Sequence, residues 1–183
     1  GMGFEVGSLN TIEEIERYAH RFTDVQFQPV HRTAKEQFGK PLIYISDMMQ
    51  AFERMRPDVC SIVNSDIVLK GGTKLRDGLA NNAKGAMIFA NRIDISSQDG
   101  GYGEVYAKGF DCFFFDPELV PLYTQSNFCL GAPWWDYWFL LVPVIHKYPT
   151  RQLIDSVAFH EKHDTVWDKR LFVHFALDIY KKL

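Results

Sequence analysis

Val59-Cys60-Ser61-Ile62-Val63-Asn64-Ser65-Asp66 is the stretch on which the fold turns. Five residues, apolar but for one serine and rich in β-branched side chains, end abruptly in three polar ones, the pattern of a buried strand. An acid just past the end of a central parallel strand lies at the carboxyl edge of the sheet, where open α/β sheets bind ligands. A carboxylate there can hold a divalent cation against a diphosphate; equally, an Asp can simply close the turn that follows a strand.

Working outward, the flanks alternate strand and helix. Upstream, Asp47 to Arg56 puts Met48, Ala51, Phe52 and Met55 on one side and stops before Pro57. Val25 to Val30 reads as a strand, and residues 31–41 as a polar loop. Thr11 with Glu14 three residues later forms a capping-box pattern, and Ile12, Ile15, Ala19 and Phe22 follow at helical spacing. Phe4 to Leu9 is a first short strand. Downstream, Gly71-Gly72 turns the chain, 73–83 is a weak helix, Ala86 to Ile95 a strand, and Gly100-Gly101-Tyr102-Gly103 a turn. Trp167, Leu171, Phe175 and Ile179 step by four, so 167–182 forms a closing amphipathic helix. The order predicts an α/β fold: a mostly parallel sheet flanked by helices, with residues 2–183 as one domain.

Composition narrows the function classes. A net charge of −3 over 183 residues leaves no electrostatic footprint for nucleic acid and no basic face for an anionic membrane. The longest apolar stretch, Trp138 to Ile145, contains Pro143 and is far short of the ~20 residues of a membrane span. No basic segment leads an apolar one at the start, so no secretory signal is expected, and the thiols below point to a reducing compartment, the cytoplasm. Cys60, Cys112 and Cys129 are an odd number without CxxC spacing, each in an apolar run, and read as buried free thiols.

Other stretches carry possible chemistry. His160-Glu161-Lys162-His163-Asp164 holds four residues able to bind metal or move protons, without the HExxH spacing. In an extended chain His160 and Glu161 point apart, so only some of the five face one site; a polar loop before the last helix would look the same. Gly131-Ala132-Pro133-Trp134-Trp135-Asp136-Tyr137-Trp138 places Pro133 at a helix start and Asp136 in its first turn. Asp136 is either a dipole-favoured helix-start acid or a carboxylate among stacking rings. Residues 102–139 hold 13 aromatics where the chain average of 15% gives about 6, an excess that suggests more than core packing. Arg92, late in a strand, can meet a phosphate or a surface acid.

Taken in order, Ser8-Leu9-Asn10, Phe38-Gly39-Lys40-Pro41, Val63-Asn64-Ser65-Asp66-Ile67, Gly109-Phe110-Asp111-Cys112-Phe113-Phe114-Phe115, Leu130 to Trp138 and His160 to Asp164 resemble the GT-A glycosyltransferases, the nucleotide-diphospho-sugar transferase superfamily. The resemblance runs from about residue 4 to 168 and rests on the order of segments more than on any one motif. It implies a Rossmann-like GT-A fold binding a nucleotide-diphospho-sugar through Mn²⁺ or Mg²⁺ and passing the sugar to an acceptor glycan or small molecule. Ser8, Leu9 and Asn10 would lie near the nucleotide, with Asn64-Ser65-Asp66 in the place of the family's DxD. Asp66 and His163, the latter with Asp164 beside it, would meet the metal or diphosphate. Asp136 would be the general base, and Arg92, Asp111, Trp134 and Trp135 would face sugar or acceptor. Because Asn64 stands where the family has its first acid, a nucleotide- or glycan-binding module without catalysis is the alternative. A metal-assisted hydrolase using His160, His163 and Asp164 is a third reading.

Overall fold

The computed structural model describes residues 2–97, 103–123, 126–163 and 168–183. Strand β1 (Val6–Asn10) pairs in parallel with β2 (Val25–Pro29) as a two-stranded sheet. Between them, helix α1 (Ile12–Tyr18) starts with the expected reciprocal cap. Thr11 Oγ1 accepts from Glu14 N–H, and the Glu14 carboxylate accepts from Thr11 N–H. The stretch read as loop contains one short helix, α2 (Lys35–Phe38), ended by Gly39 at φ 74°.

Then come α3 (Ile45–Met55), β3 (Cys60–Val63), β4 (Ile67–Leu69) and α4 (Gly72–Asn82). The single strand expected over Ala86 to Ile95 is two, β5 (Met87–Ala90) and β6 (Ile93–Ile95), in different sheets. The break falls at Asn91, whose side-chain amide donates to the carbonyls of Tyr106 and Gly109. β7 (Glu104–Val105), β8 (Cys112–Phe115), α5 (Trp135–Ile145), β9 (Thr150–Leu153), β10 (Ala158–Glu161) and α6 (Lys169–Tyr180) complete the order.

The protein is α/β, but the mostly parallel sheet is not what forms. Two four-stranded sheets, ordered β3-β8-β5-β9 and β4-β10-β6-β7, are mixed. β8 lies antiparallel to both β3 and β5, and β10 antiparallel to β4 but parallel to β6. The cause is the connection from β6 to β8. A parallel return needs a crossover, usually helical, whereas here the described residues after β6 make β7, which doubles back on it.

The strand β8 explains much of the aromatic excess. Its four residues are all buried, and they alternate. Phe113 and Phe115 pack into a core shared with α3, α5 and α6 (Met49, Phe139, Phe175), while Cys112 and Phe114 face Leu79 of α4 and Ala83, which caps it. Phe128, Tyr123, Trp135 and Trp138 are also buried, so the surplus of rings is largely core, contrary to the sequence expectation. Each fully buried Phe contributes roughly 1.5–3 kcal/mol. Tyr102 and most of the expected Gly100–Gly103 turn lie outside the described residues. The three cysteines are free and buried, as expected, and burial pushes each thiol up to about 12. Among the described residues no helix is long and apolar enough to cross a membrane.

Candidate functional site

The register of β10 builds the site. In that strand His160 sits opposite Ile67 of β4 and opposite Asp94 of β6. Its neighbours across both ladders are therefore the residue after Asp66 and an acid set between two isoleucines. His160 is 4% exposed. Its Nδ1 lies 2.9 Å from Asp94 Oδ1, and its Nε2 lies 3.4 Å from Asp66 Oδ2. An ionised Asp94 can only accept, so Nδ1 carries a proton, and in the neutral tautomer the lone pair is on Nε2. Just past the strand, His163 brings its Nε2 to 3.5 Å from the same Asp66 oxygen. One ligand atom each from Asp66, His160 and His163 fall within 4.8 Å of one another.

Two imidazoles and a carboxylate could hold a divalent cation, with Asp94 orienting His160 from behind. A carboxylate on the far nitrogen of a ligating histidine fixes its tautomer and raises its basicity. The expected pair Asp66 and His163 is therefore brought together, and His160, expected only in the hydrolase reading, joins them. Asp164 lies outside the described residues.

Arg92 links this cluster to the next carboxylate. Its Nε donates to Asp94 Oδ1 at 2.8 Å, one terminal nitrogen reaches Asp111 Oδ2 at 3.3 Å, and its guanidinium lies 4.2 Å from the centre of the Tyr106 ring. Asp111 is 6% exposed and also accepts from the Asn64 amide at 2.7 Å. Burial pushes the Asp111 carboxyl up, against the pull of Arg92 and Asn64. The Asn64 amide is thus spent on Asp111, while Ser65 is exposed in the turn. Removing Arg92 would leave two poorly solvated acids without their cation. Arg92→Met is expected to cost roughly 3 kcal/mol, read as a lower urea midpoint at unchanged slope.

Asp136 lies in the first turn of α5, beside Gly109. Its Oδ2 accepts from Phe110 N–H at 2.9 Å. Burial raises its carboxyl to about 6 despite that bond and others from the backbone of Tyr137 and Asp136 itself. The helix begins at Trp135 rather than at Pro133, and Trp134, at φ 69°, is its cap. Trp134 Nε1 donates to the Phe172 carbonyl, holding the ring between Phe172 and Tyr137. Trp135 is 4% exposed and packs on Phe113 inside the core.

Ser8, Leu9 and Asn10 are on the separate two-stranded sheet. Ser8 Oγ donates to Asn10 Oδ1 at 2.6 Å. Leu9 borders a cavity of about 620 Å³ together with His31, Arg32, Asp47 and Arg54. There Arg32 pairs with Asp47 and lies over the Tyr44 ring.

Sequence reasoning left Asp94 unassigned, and it placed His160 in the hydrolase reading but not in the metal pair that the resemblance implies. One signal was present for each: a lone acid within Ile93-Asp94-Ile95, and the two-histidine stretch itself. No protein-family model matches the chain, and no curated protein matches it.

Proposed function

We propose that this chain is a metal-dependent GT-A-like glycosyltransferase acting on a nucleotide-diphospho-sugar. The observation that carries the reading is the convergence of Asp66, His160 and His163 at the end of β3, with Asp94 behind His160. The resemblance in segment order supports it. A divalent cation held there supplies charge neutralisation for a leaving diphosphate. Arg92, bound to both Asp94 and Asp111, holds the carboxylates in place along this edge. Asp136 takes the acceptor proton: a carboxyl raised to about 6 is still mostly ionised at neutral pH and is a stronger base than an ordinary carboxylate. Tyr137, an exposed ring beside that carboxylate, offers a surface for a sugar.

The test is calorimetric titration with UDP, GDP and their sugar conjugates, first with Mn²⁺ and then with EDTA. One nucleotide bound with the metal and released by EDTA is the expected outcome. Binding under neither condition would sink the reading.

A second reading is favoured by the donor set itself. Two nitrogens and one oxygen suit zinc better than Mg²⁺. A metal-assisted hydrolase is then the alternative, and bound zinc in the purified protein, with no nucleotide affinity, would select it.

A further inference from the structure

Helix α6 is apolar on two opposite sides. Leu171 and Phe175 point inward and are buried in the core shared with α3 and α5. Val173, Leu177 and Tyr180 point the other way and are 56%, 52% and 78% exposed. Their spacing of four and then three keeps them in one stripe along the helix. The charges around that stripe are of one sign. Lys169 and Arg170 stand exposed at its start and Lys181 at its end, Lys169 and Lys181 being about 18 Å apart along the axis. At about 100° per residue, all three cations fall within about 80° of the line through Val173. The acids of the helix lie elsewhere. Asp168 caps its start, accepting from the Arg170 and Leu171 amides. Asp178 is about 140° round the helix from Val173, where it meets His174 and Lys181. A net charge of −3 for the whole chain conceals this face, because composition carries no direction.

We propose that this face of α6 docks on an anionic lipid surface, the helix lying in the plane of the headgroups with Val173 and Leu177 toward the acyl chains. Charge complementarity selects that occupant. An apolar stripe flanked by cations alone asks for a surface that is apolar and negative together, and a bilayer holding acidic lipids is both. Tyr180 suits the boundary, its ring in apolar and its hydroxyl in wet surroundings. A second copy of the chain does not fit. Whether the two helices ran parallel or antiparallel, cation would oppose cation at both ends of the stripe. At 12 residues the helix lies on a bilayer and does not span one. The proposal is independent of the transferase reading.

The test is flotation of the 183-residue chain with vesicles of phosphatidylcholine alone and of phosphatidylcholine mixed with phosphatidylserine. Each cation near an anionic surface strengthens partitioning about fivefold, so the mixed vesicles should bind about a hundredfold better at low salt. That advantage should fade toward about 1 M salt, where screening is nearly complete. Two double variants locate the contact: Val173→Ser with Leu177→Ser, and Lys169→Glu with Arg170→Glu. All four side chains are exposed, and an acid at a helix start suits the dipole, so both variants should unfold near the wild-type temperature. Each should lose about tenfold or more of the binding to mixed vesicles; if one unfolds early, the other decides. No binding to the mixed vesicles would overturn the proposal. So would equal binding to phosphatidylcholine alone, or binding that the serine variant retains in full. The acidic helical peptide acetyl-Glu-Leu-Ala-Ala-Leu-Leu-Ala-Ala-Leu-Glu-amide, bound where the vesicles are not, would make a protein helix the occupant. A dimer of the vesicle-free chain in sedimentation, dissolved by the serine variant, would make it a second copy. Either result overturns the lipid assignment.

Discussion

Asp136→Asn is expected to lower turnover by two to four powers of ten while leaving the fold more stable at neutral pH, not less. The rate loss follows from the role: a positioned general base contributes about 10²–10⁴-fold, and an amide cannot take a proton. The stability gain follows from burial. The Asp136 carboxyl titrates near 6 in the folded chain and near the ordinary 3.8 when unfolded. A raised carboxyl favours folding fully only below its unfolded value, and that contribution is lost as pH rises from about 4 to about 6. Above pH 6 the native protein carries a poorly solvated charge, which at 1.36 kcal/mol per unit amounts to about 3 kcal/mol. Asn keeps an oxygen to accept from Phe110 N–H and carries no charge. Urea unfolding should therefore show Asp136→Asn ahead of wild type by about that amount at pH 8, with the gap closing toward pH 4. Turnover equal to wild type on a donor found by calorimetry would remove Asp136 as the base. A gap that does not close in acid would remove burial of its charge as the cause.

Local signals in the sequence describe the local structure well. Thr11 and Glu14 mark the start of α1, Pro57 follows the end of α3, and α6 closes the chain with Leu171 and Phe175 buried as their spacing requires. Trp167, the first residue of that periodic set, lies outside the described residues. What the sequence does not carry is pairing. β8 reads as an apolar strand, but nothing in Cys112 to Phe115 says that it enters antiparallel between β3 and β5. The resulting sheets differ from the parallel one that strand-helix alternation suggests. The site shows the same division. Asp66 is visible because polarity changes abruptly at the end of β3. His160 and Asp94 meet through a register between strands 66 residues apart in sequence. The alternation rule also separates His160 from His163, and it misleads here because β10 ends at Glu161 and the chain has left strand geometry by His163.

His160→Ala is expected to have the largest effect on the metal centre. His160 is the buried member of the three, gripped by Asp94 on one nitrogen and facing Asp66 with the other. Truncation removes a ligand and also leaves Asp94 with Arg92 as its one side-chain partner among the described residues. Cation affinity should fall by more than the 10–100-fold that loss of an outer-shell partner typically costs, and Asp94→Asn should fall within that range. The ordering of the pair is the informative part. If His160 is a ligand and Asp94 only orients it, the histidine variant must be the weaker binder, and both must keep the nucleotide-free fold well enough to be titrated. If the two variants lose affinity equally, Asp94 belongs to the coordination set and the arrangement is a two-carboxylate one. If neither loses affinity, the cluster is a hydrogen-bonded tie between β4, β6 and β10, and the calorimetric metal requirement must come from elsewhere. Titration with Mn²⁺ and with Zn²⁺ on the same three proteins separates these outcomes. It also tests the donor argument, since the histidine variant should lose more affinity for zinc than for manganese.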